Sequence, residues 1–172
     1  SASFSLVSHT LSLSSGSGGS VSGGESHGYG TNATITATPD AGYSFSGWSG
    51  TGVADTNAAS TTVSMTSDRS VTASFNLDSH TLSLSAGIGG SVSGGGSYDY
   101  GSDVTITATP NIGYSFSGWS GTGVSDATAS STTVSMTSDR SVSASFSLVS
   151  HTLTLSSGSG GSVSGGGSYG YG

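Results

Sequence analysis

The chain repeats itself every 71 residues, and no other feature limits its fold as strongly. The sequence His-Thr-Leu begins at His9, returns at His80 and returns again at His151. The first eight residues of the chain also recur unchanged at 143–150. A fixed period of this length is typical of arrays of small structural units. The repeat predicts the last strand of a preceding repeat at 1–8, complete repeats at 9–79 and 80–150, and the first hairpin of a following repeat at 151–172.

Apolar and hydroxyl-bearing residues alternate through each unit, which is typical of strands with one buried face. The clearest case is the stretch 31–38, where apolar residues and threonines take alternate positions. No stretch of about 11 residues follows a helical period. The Gly-rich segment 16–19 predicts a hairpin between the first two strands, and Gly47 predicts a bulge that redirects Trp48. The sequence therefore predicts an all-β fold with about six short strands in each unit.

The alternating apolar positions define a predicted core in each unit, and aromatic residues supply much of it. A buried side chain of this kind contributes about 1.5–3 kcal/mol, so the sum barely offsets the entropy of ordering about 70 residues. We therefore expect neighbouring units to stabilise one another. The predicted core residues are Tyr43, Phe45, Trp48, Val63, Met65, Val71 and Phe75, completed by Leu11, Leu13, Val21 and Ile35, and in the second unit Tyr114, Phe116, Trp119, Val134, Met136, Val142 and Phe146.

The connection between two units is short and contains no proline. The predicted junction residues are Leu77, Asp78 and His80, with Leu148 and His151 after the second unit. Because a short connection restricts the angle between units, the sequence predicts a stiff thread rather than beads on a flexible linker. We expect the histidine that starts each repeat to be half-buried near a junction. Calcium bound through Asp78 is an alternative, although Val149 occupies the corresponding position one repeat later.

Charge and cysteine content exclude several classes of protein. Nine acidic residues against two arginines give a net charge of -7, and the sequence has neither Lys nor Cys. Two cations cannot neutralise a phosphate backbone, so nucleic acid is not an expected partner. Without Cys, the chain can form neither disulfides nor thiolate metal sites. No apolar run approaches the roughly 20 residues that cross a bilayer, and the composition favours an extracellular location.

No pattern in the sequence predicts catalysis. Gly-x-Ser-x-Gly occurs at 24–28 and 166–170, but a nucleophile elbow needs a strand before it and a helix after it. The corresponding segment 95–99 breaks the pattern. The threonines at 34, 36 and 38 resemble the flat hydroxyl arrays of some ice-binding proteins, although a solvated strand face is the simpler interpretation. We predict that the chain is not an enzyme and has no catalytic residues, no cofactor and no assigned metal site.

Four motifs recur in the same order in both units: Gly-Gly-Ser-Val, Thr-Ile-Thr-Ala-Thr-Pro, Gly-Tyr-Ser-Phe-Ser-Gly-Trp-Ser-Gly and Val-Ser-Met-Thr-Ser-Asp-Arg. Together they resemble the divergent InlB B-repeat family, also called the Listeria–Bacteroides repeat. The aromatic motif at 42–48 and 113–119 is the most specific part, and the resemblance covers about 9–75 and 80–146. It implies compact β-rich modules, β-grasp-like or sandwich, that serve as stalks or spacers in bacterial surface and secreted proteins. It implies no catalytic residues.

These observations favour a structural protein. The leading hypothesis is a tandem-repeat protein that forms an extracellular fibre, stalk or filament on a bacterial surface. Its partners would be neighbouring repeats or identical chains, without nucleic acid and without membrane insertion in this segment. The alternative hypothesis is an adhesin whose repeats bind glycans or other surface ligands. The residues expected to bind a glycan are Tyr29, Tyr98, Tyr100 and Tyr171.

Overall fold

The computed structural model describes residue 1 and residues 3–172, and this part of the chain contains strands and turns but no helix. It divides into two compact units, Ser1–Asp78 and Ser79–Gly172. The first unit contains β1 (Ser8–Ser15), β2 (Gly19–Ser22), β3 (Ser26–Gly28), β4 (Asn32–Pro39), β5 (Tyr43–Gly50), β6 (Ser60–Ser64) and β7 (Arg69–Leu77). The second contains β8 (Ser79–Ala86), β9 (Gly90–Ser93), β10 (Gly96–Asp99), β11 (Asp103–Pro110), β12 (Tyr114–Gly121), β13 (Ser131–Ser135), β14 (Arg140–Leu148), β15 (Ser150–Leu153) and β16 (Gly167–Gly170). The predicted all-β fold is confirmed.

The strands of the first unit form two sheets that share one core. A four-stranded sheet has the order β3-β1-β7-β5, and a three-stranded sheet has the order β2-β4-β6. The pair β1–β7 is parallel, whereas every other pair in the unit is antiparallel. One buried cluster takes Leu11 and Val71 from the larger sheet and Ile35 and Val63 from the smaller. The two sheets therefore pack face to face as a sandwich.

The second unit repeats this arrangement. Its sheets have the orders β10-β8-β14-β12 and β13-β11-β9, and β8–β14 is again the parallel pair. The buried cluster takes Leu82 and Val142 from one sheet and Ile106 and Val134 from the other. The same alternation of apolar and polar residues thus produces the same sandwich twice.

The predicted hairpin between the first two strands is wrong, because β1 and β2 lie in different sheets. β2 pairs with β4, and β1 pairs with β3 and β7. The chain crosses from one sheet to the other through Gly18 and Gly19, which pass directly against the rings of Tyr43 and Phe75. The glycines therefore make room for a sheet-to-sheet crossing rather than for a hairpin. β3 supplies a seventh strand, whereas the sequence predicted about six in each unit.

The predicted bulge at Gly47 is confirmed. The register between β5 and β7 shifts between Phe45 and Gly47, and the same shift recurs between Phe116 and Gly118. After the shift, Trp48 is only 5% exposed and its indole N–H donates to the carbonyl of Ala58 at 3.0 Å. The bulge thus directs the largest side chain of the unit into the core.

The eight residues that occur at both 1–8 and 143–150 differ in structure between 3–7 and 145–149. At 143–150 they belong largely to β14, where the ring of Phe146 packs on Phe116. At the start of the chain, residues 3–7 form no strand, and Phe4 is 95% exposed. Ala2, which belongs to this predicted strand, lies outside the described residues. At 143–150 the partners β8 and β12 are present, so strand formation here depends on tertiary context rather than on local propensity.

The segment 151–172 also differs from the predicted hairpin. β15 pairs with β16, as Ser150 with Gly170 through Leu153 with Gly167. This pairing corresponds to β1 with β3, not to β1 with β2. The third copy thus repeats the β1–β3 pairing of the complete unit and not the predicted hairpin.

Replacing Gly19 by Ala tests the crossing between sheets. A Cβ at this position would overlap the ring of Phe75, and overpacking of this kind costs about 1–3 kcal/mol. We expect Gly19→Ala to lower the free energy of unfolding, measured by urea denaturation. The matched control is Gly161→Ala, since Gly161 is the third-copy counterpart and a Cβ there would meet open space, with nothing within 4 Å. Equal stability of the two variants would contradict the crossing.

Candidate functional site

A histidine, a tyrosine and an aspartate meet where the chain enters each complete unit, and we call this end the leading end. In the first unit the rings of His9 and Tyr29 lie 5.9 Å apart between centroids, and His9 Nδ1 lies 3.3 Å from Asp68 Oδ1. In the second unit the ring of His80 lies 6.1 Å from that of Tyr100, and its Nδ1 lies 3.5 Å from an oxygen of Asp139. The half-buried histidines thus contact an aromatic ring and a carboxylate.

Asp68 also completes the backbone hydrogen bonding of β1. The N–H of Thr10 donates to Asp68 Oδ1 at 2.9 Å, and that of Thr81 donates to Asp139 Oδ1 at 2.8 Å. The Thr10 N–H holds the pKa of Asp68 below its ordinary value of 3.8, with a further contribution from His9. β7 pairs with β1 only from Leu11 onward. The Asp68 carboxylate therefore supplies a hydrogen-bond acceptor for the N–H of Thr10, one residue before that pairing begins.

A cleft opens beside this cluster in the first unit. Its volume is about 590 Å³, which lies within the range of small-molecule sites. Its floor is mostly apolar, Tyr29 is 63% exposed, and the N–H of Tyr29 donates to the carbonyl of Val7 at 2.8 Å. The lining residues are Ser5, Leu6, Val7, His9, Tyr29 and Thr66. An exposed tyrosine face beside two hydroxyls and an imidazole could stack on a sugar ring.

The four tyrosines predicted to bind glycans fall into two groups. Tyr29, Tyr100 and Tyr171 occupy equivalent positions beside the first histidine of their repeat. Tyr98 instead packs against the core of the second unit, and its hydroxyl donates to the carbonyl of Gly94 at 2.9 Å. The structure thus brings three of the four predicted residues into one kind of setting and places the fourth in a packing role.

His27 is the first unit's counterpart of Tyr98, and nothing in the sequence signals its environment. It lies directly across from His9 in the β1–β3 pair. Its Nε2 atom is buried and finds no hydrogen-bond partner among the residues that the structure describes. The tyrosine at this position in the second unit reaches a backbone carbonyl, which the shorter histidine side chain does not. The side chain at this position therefore lacks, in the first unit, the hydrogen bond that its counterpart makes in the second.

Each unit contains one arginine, and sequence analysis missed its role. Arg69 donates from Nε to the carbonyl of Ser64 at 3.2 Å, and from its two terminal nitrogens to the hydroxyls of Thr51 and Thr66 at 2.9 and 2.8 Å. Arg140 makes the corresponding three bonds. The guanidinium lies against Gly52, where a side chain would crowd it. A planar group with several fixed donors suits this task, so the arginine ties the loop after β5 to the β6–β7 turn.

The predicted core residues occupy the interior of the sandwich to different degrees. Trp48, Val63, Met65 and Val71 are buried, and so are their second-unit counterparts Trp119, Val134, Met136 and Val142. Tyr43, Phe45 and Phe75 are half-buried, as are Tyr114, Phe116 and Phe146. The phenylalanines pack edge-on, with 6.0 Å between the rings of Phe45 and Phe75. The buried alanines at 33, 37 and 73 also belong to this core.

The predicted junction residues are less buried than the core. Leu77 is 42% exposed and Leu148 is 49% exposed, and His151 is exposed. The side chain of Asp78 accepts a hydrogen bond from the hydroxyl of Ser44, and its backbone N–H donates to the carbonyl of Gly42 at 2.8 Å. Asp78 thus has a structural partner within its own unit.

Two of the patterns considered in the sequence can be compared with the structure of residue 1 and residues 3–172. Within that range, no three His, Cys, Asp or Glu residues lie close enough together to hold a metal ion. Ser26 of the Gly-x-Ser-x-Gly pattern opens the short strand β3, and the next element is another strand. A search of the described residues finds no helix with the length and apolar character needed to span a membrane.

A family model described as the divergent InlB B-repeat domain matches residues 9–79 and 80–150. The chain therefore belongs to this family and carries two tandem copies of its repeat, which confirms the resemblance. Repeats of this family are typical of bacterial surface proteins, so the chain is a repeat module of that type. No curated protein and no solved structure matches the chain significantly.

Acid should weaken the first unit partly through Asp68. The pKa of Asp68 is lower in the folded state than its ordinary value of 3.8. Its contribution to stability is therefore fully present above pH 3.8 and is lost as the pH falls from 3.8 through the lowered pKa. We expect Asp68→Asn to lower stability at neutral pH and to reduce the loss of stability on acidification below pH 3.8. Thermal unfolding followed by circular dichroism between neutral and acid pH measures both effects.

Glu25→Gln is the control for this experiment, since it removes one negative charge from an exposed side chain. We expect Glu25→Gln to lose as much stability on acidification as the natural chain does. If Asp68→Asn also loses as much stability on acidification as the natural chain does, the role assigned to this carboxylate is wrong.

Proposed function

We propose that the chain is part of an extracellular fibre, stalk or filament on a bacterial surface, in which each repeat acts as a spacer. The single observation that carries the proposal is the parallel pairing of the first and last strands within each unit. The proposal assigns no catalytic step and no cofactor to the chain. Its partners are neighbouring repeats or identical chains.

Parallel first and last strands send the chain out of a unit at the end opposite to the one it entered. β1 runs from Ser8 to Ser15 beside β7, which runs in the same direction from Arg69 to Leu77. With antiparallel strands, the chain would leave close to where it entered. An eight-residue strand spans about 26 Å, at about 3.3 Å per residue. Within one repeat the chain therefore advances by about this distance from entry to exit, which supports a spacer.

The connection between units also supports the proposal. Asp78 is the one residue between the end of β7 and the start of β8, and Val149 alone separates β14 from β15. A connection of one residue gives much less freedom than a Gly/Ser-rich linker. The stiff thread predicted from the sequence therefore remains our expectation.

The outer faces of both sheets suit a surface protein that should not bind charged molecules indiscriminately. On β4, Thr34, Thr36 and Thr38 point away from the buried face. On the larger sheet, the hydroxyls of Ser14 and Thr72 hydrogen-bond at 2.7 Å. These faces carry hydroxyl groups where many proteins carry lysine and glutamate. A neutral, hydrated face of this kind supports the proposed extracellular location.

Small-angle X-ray scattering on chains with increasing numbers of repeats tests the proposal. We expect the maximum dimension to increase linearly, by at least about 26 Å for each added repeat. The control is a chain in which a flexible Gly/Ser linker of about 15 residues is inserted after Asp78, for which the increase should be weaker and the distribution of distances broader. Compact particles whose dimension hardly grows with repeat number would refute the spacer.

The cleft beside Tyr29 favours one second candidate, an adhesin that binds glycans at the leading end of its repeats. Its support is the exposed tyrosine face next to His9 and Thr66. Binding to a glycan array that is lost in Tyr29→Ala and retained in Tyr43→Phe would favour it. The absence of binding to any glycan on a broad array would refute this candidate function. Tyr98→Ala is unsuitable as a probe, because Tyr98 packs on the core.

A further inference from the structure

We propose that the parallel β1–β7 pair makes each unit resist mechanical tension, and we call this pair, at residues 10–16 and 68–73, the shear clamp. The inference deepens the spacer proposal and rests on it, since only a chain held at both ends carries tension. It assigns the chain a second function, which is to keep its length under load.

Tension on the chain would act along the clamp and not across it. It would enter the first unit at Ser8 and leave it at Leu77, at opposite ends of two adjacent parallel strands. The strands must then slide past each other before either is released. Their interstrand hydrogen bonds lie across the direction of pull, so they share the load and must break nearly together. A pair pulled from one end would instead lose its bonds one after another.

The clamp is continuous over its whole length. The ladder joins β1 to β7 at five successive positions, from Leu11 with Arg69 to Ser15 with Ala73. At one end the N–H of Thr10 donates to the Asp68 carboxylate at 2.9 Å, and at the other the N–H of Gly16 donates to the carbonyl of Ala73 at 2.9 Å. The side-chain bond of Asp68 and the backbone bond of Gly16 thus extend the ladder beyond both of its ends.

Both faces of the clamp are supported. On the inner face, Leu11, Val71 and Ala73 are at most 2% exposed, so water does not reach the bonds from the core. Hydrogen bonds are stronger where water is excluded. On the outer face, the hydroxyls of Ser14 and Thr72 bond to each other across the two strands. Sliding by one residue would break this bond and move apolar side chains toward the solvent face.

The second unit contains the same clamp. β8 and β14 pair from Leu82 with Arg140 to Ala86 with Ala144. The N–H of Gly87 donates to the carbonyl of Ala144 at 2.9 Å, and the hydroxyls of Ser85 and Ser143 lie 2.5 Å apart. The hydroxyl pair is kept although Thr72 is replaced by Ser143. Two units in series would therefore both resist the same pull.

Single-molecule force spectroscopy on the full chain tests the clamp by changing only the direction of pull. The sequence contains no Cys, so two introduced cysteines are unique attachment points. Ser8→Cys with Asn76→Cys applies force along the clamp, and Ser8→Cys with Ser67→Cys pulls its strands apart from one end. Ser8, Ser67 and Asn76 are all exposed. Urea denaturation of the two unattached variants checks that they are equally stable.

We expect the first pair of attachment points to require an unfolding force several times that of the second at the same pulling speed. Forced unfolding is governed by the barrier to unfolding, so equal stability and unequal force would isolate the effect of direction. Equal forces in the two directions would overturn the clamp. This result is separate from the scattering experiment, because a compact array with direction-dependent forces would refute the spacer and leave the clamp in place.

Discussion

The parallel contact between the first and last strands of each unit is the interaction on which the rest of the structure depends. It joins residues 58 positions apart, such as Ser14 and Thr72. Closing a loop of this length costs entropy before any contact repays it, so the unit is stable only when both sheets have formed around the core. Contacts this distant in sequence also slow folding. The same contact determines where the chain enters and leaves, and thereby links the stability of a unit to its proposed role as a spacer.

Much of the local structure could be predicted from the sequence, because alternation of apolar residues is a local signal. Most of the strands, the bulge at Gly47 and the family follow from patterns within a few residues, whereas β3 does not. The partners of the strands did not, since a Gly-rich segment such as 16–19 fits a hairpin as well as a crossing between sheets. What distinguishes the two is the position of the Phe75 ring, far along the chain. The structural role of Arg69 was missed for the same reason, because Thr51 lies 18 residues away.

The candidate site shows a similar division. That a histidine starts each repeat and is half-buried in the complete units was expected, but its contacts with Tyr29 and Asp68 required the fold. Tyr98 and Tyr29 both lie in Gly-rich stretches of the sequence, yet one packs on the core and the other faces a cleft. The difference arises because Tyr98 lies within β10, paired with His80 of β8, whereas Tyr29 lies in the turn that follows β3. The two complete units differ at position 27, where a histidine stands in place of the tyrosine at position 98.

The opposite placement of the two ends of a unit has a consequence for how such a protein changes over generations. Neighbouring copies that match at most of their positions are favourable sites for unequal recombination, which adds or deletes whole repeats. Since the phase of the repeat coincides with a complete sandwich, such an event alters no core and no strand register. The gene can therefore lengthen or shorten the reach of its product in equal steps, without selection having to repair the fold each time.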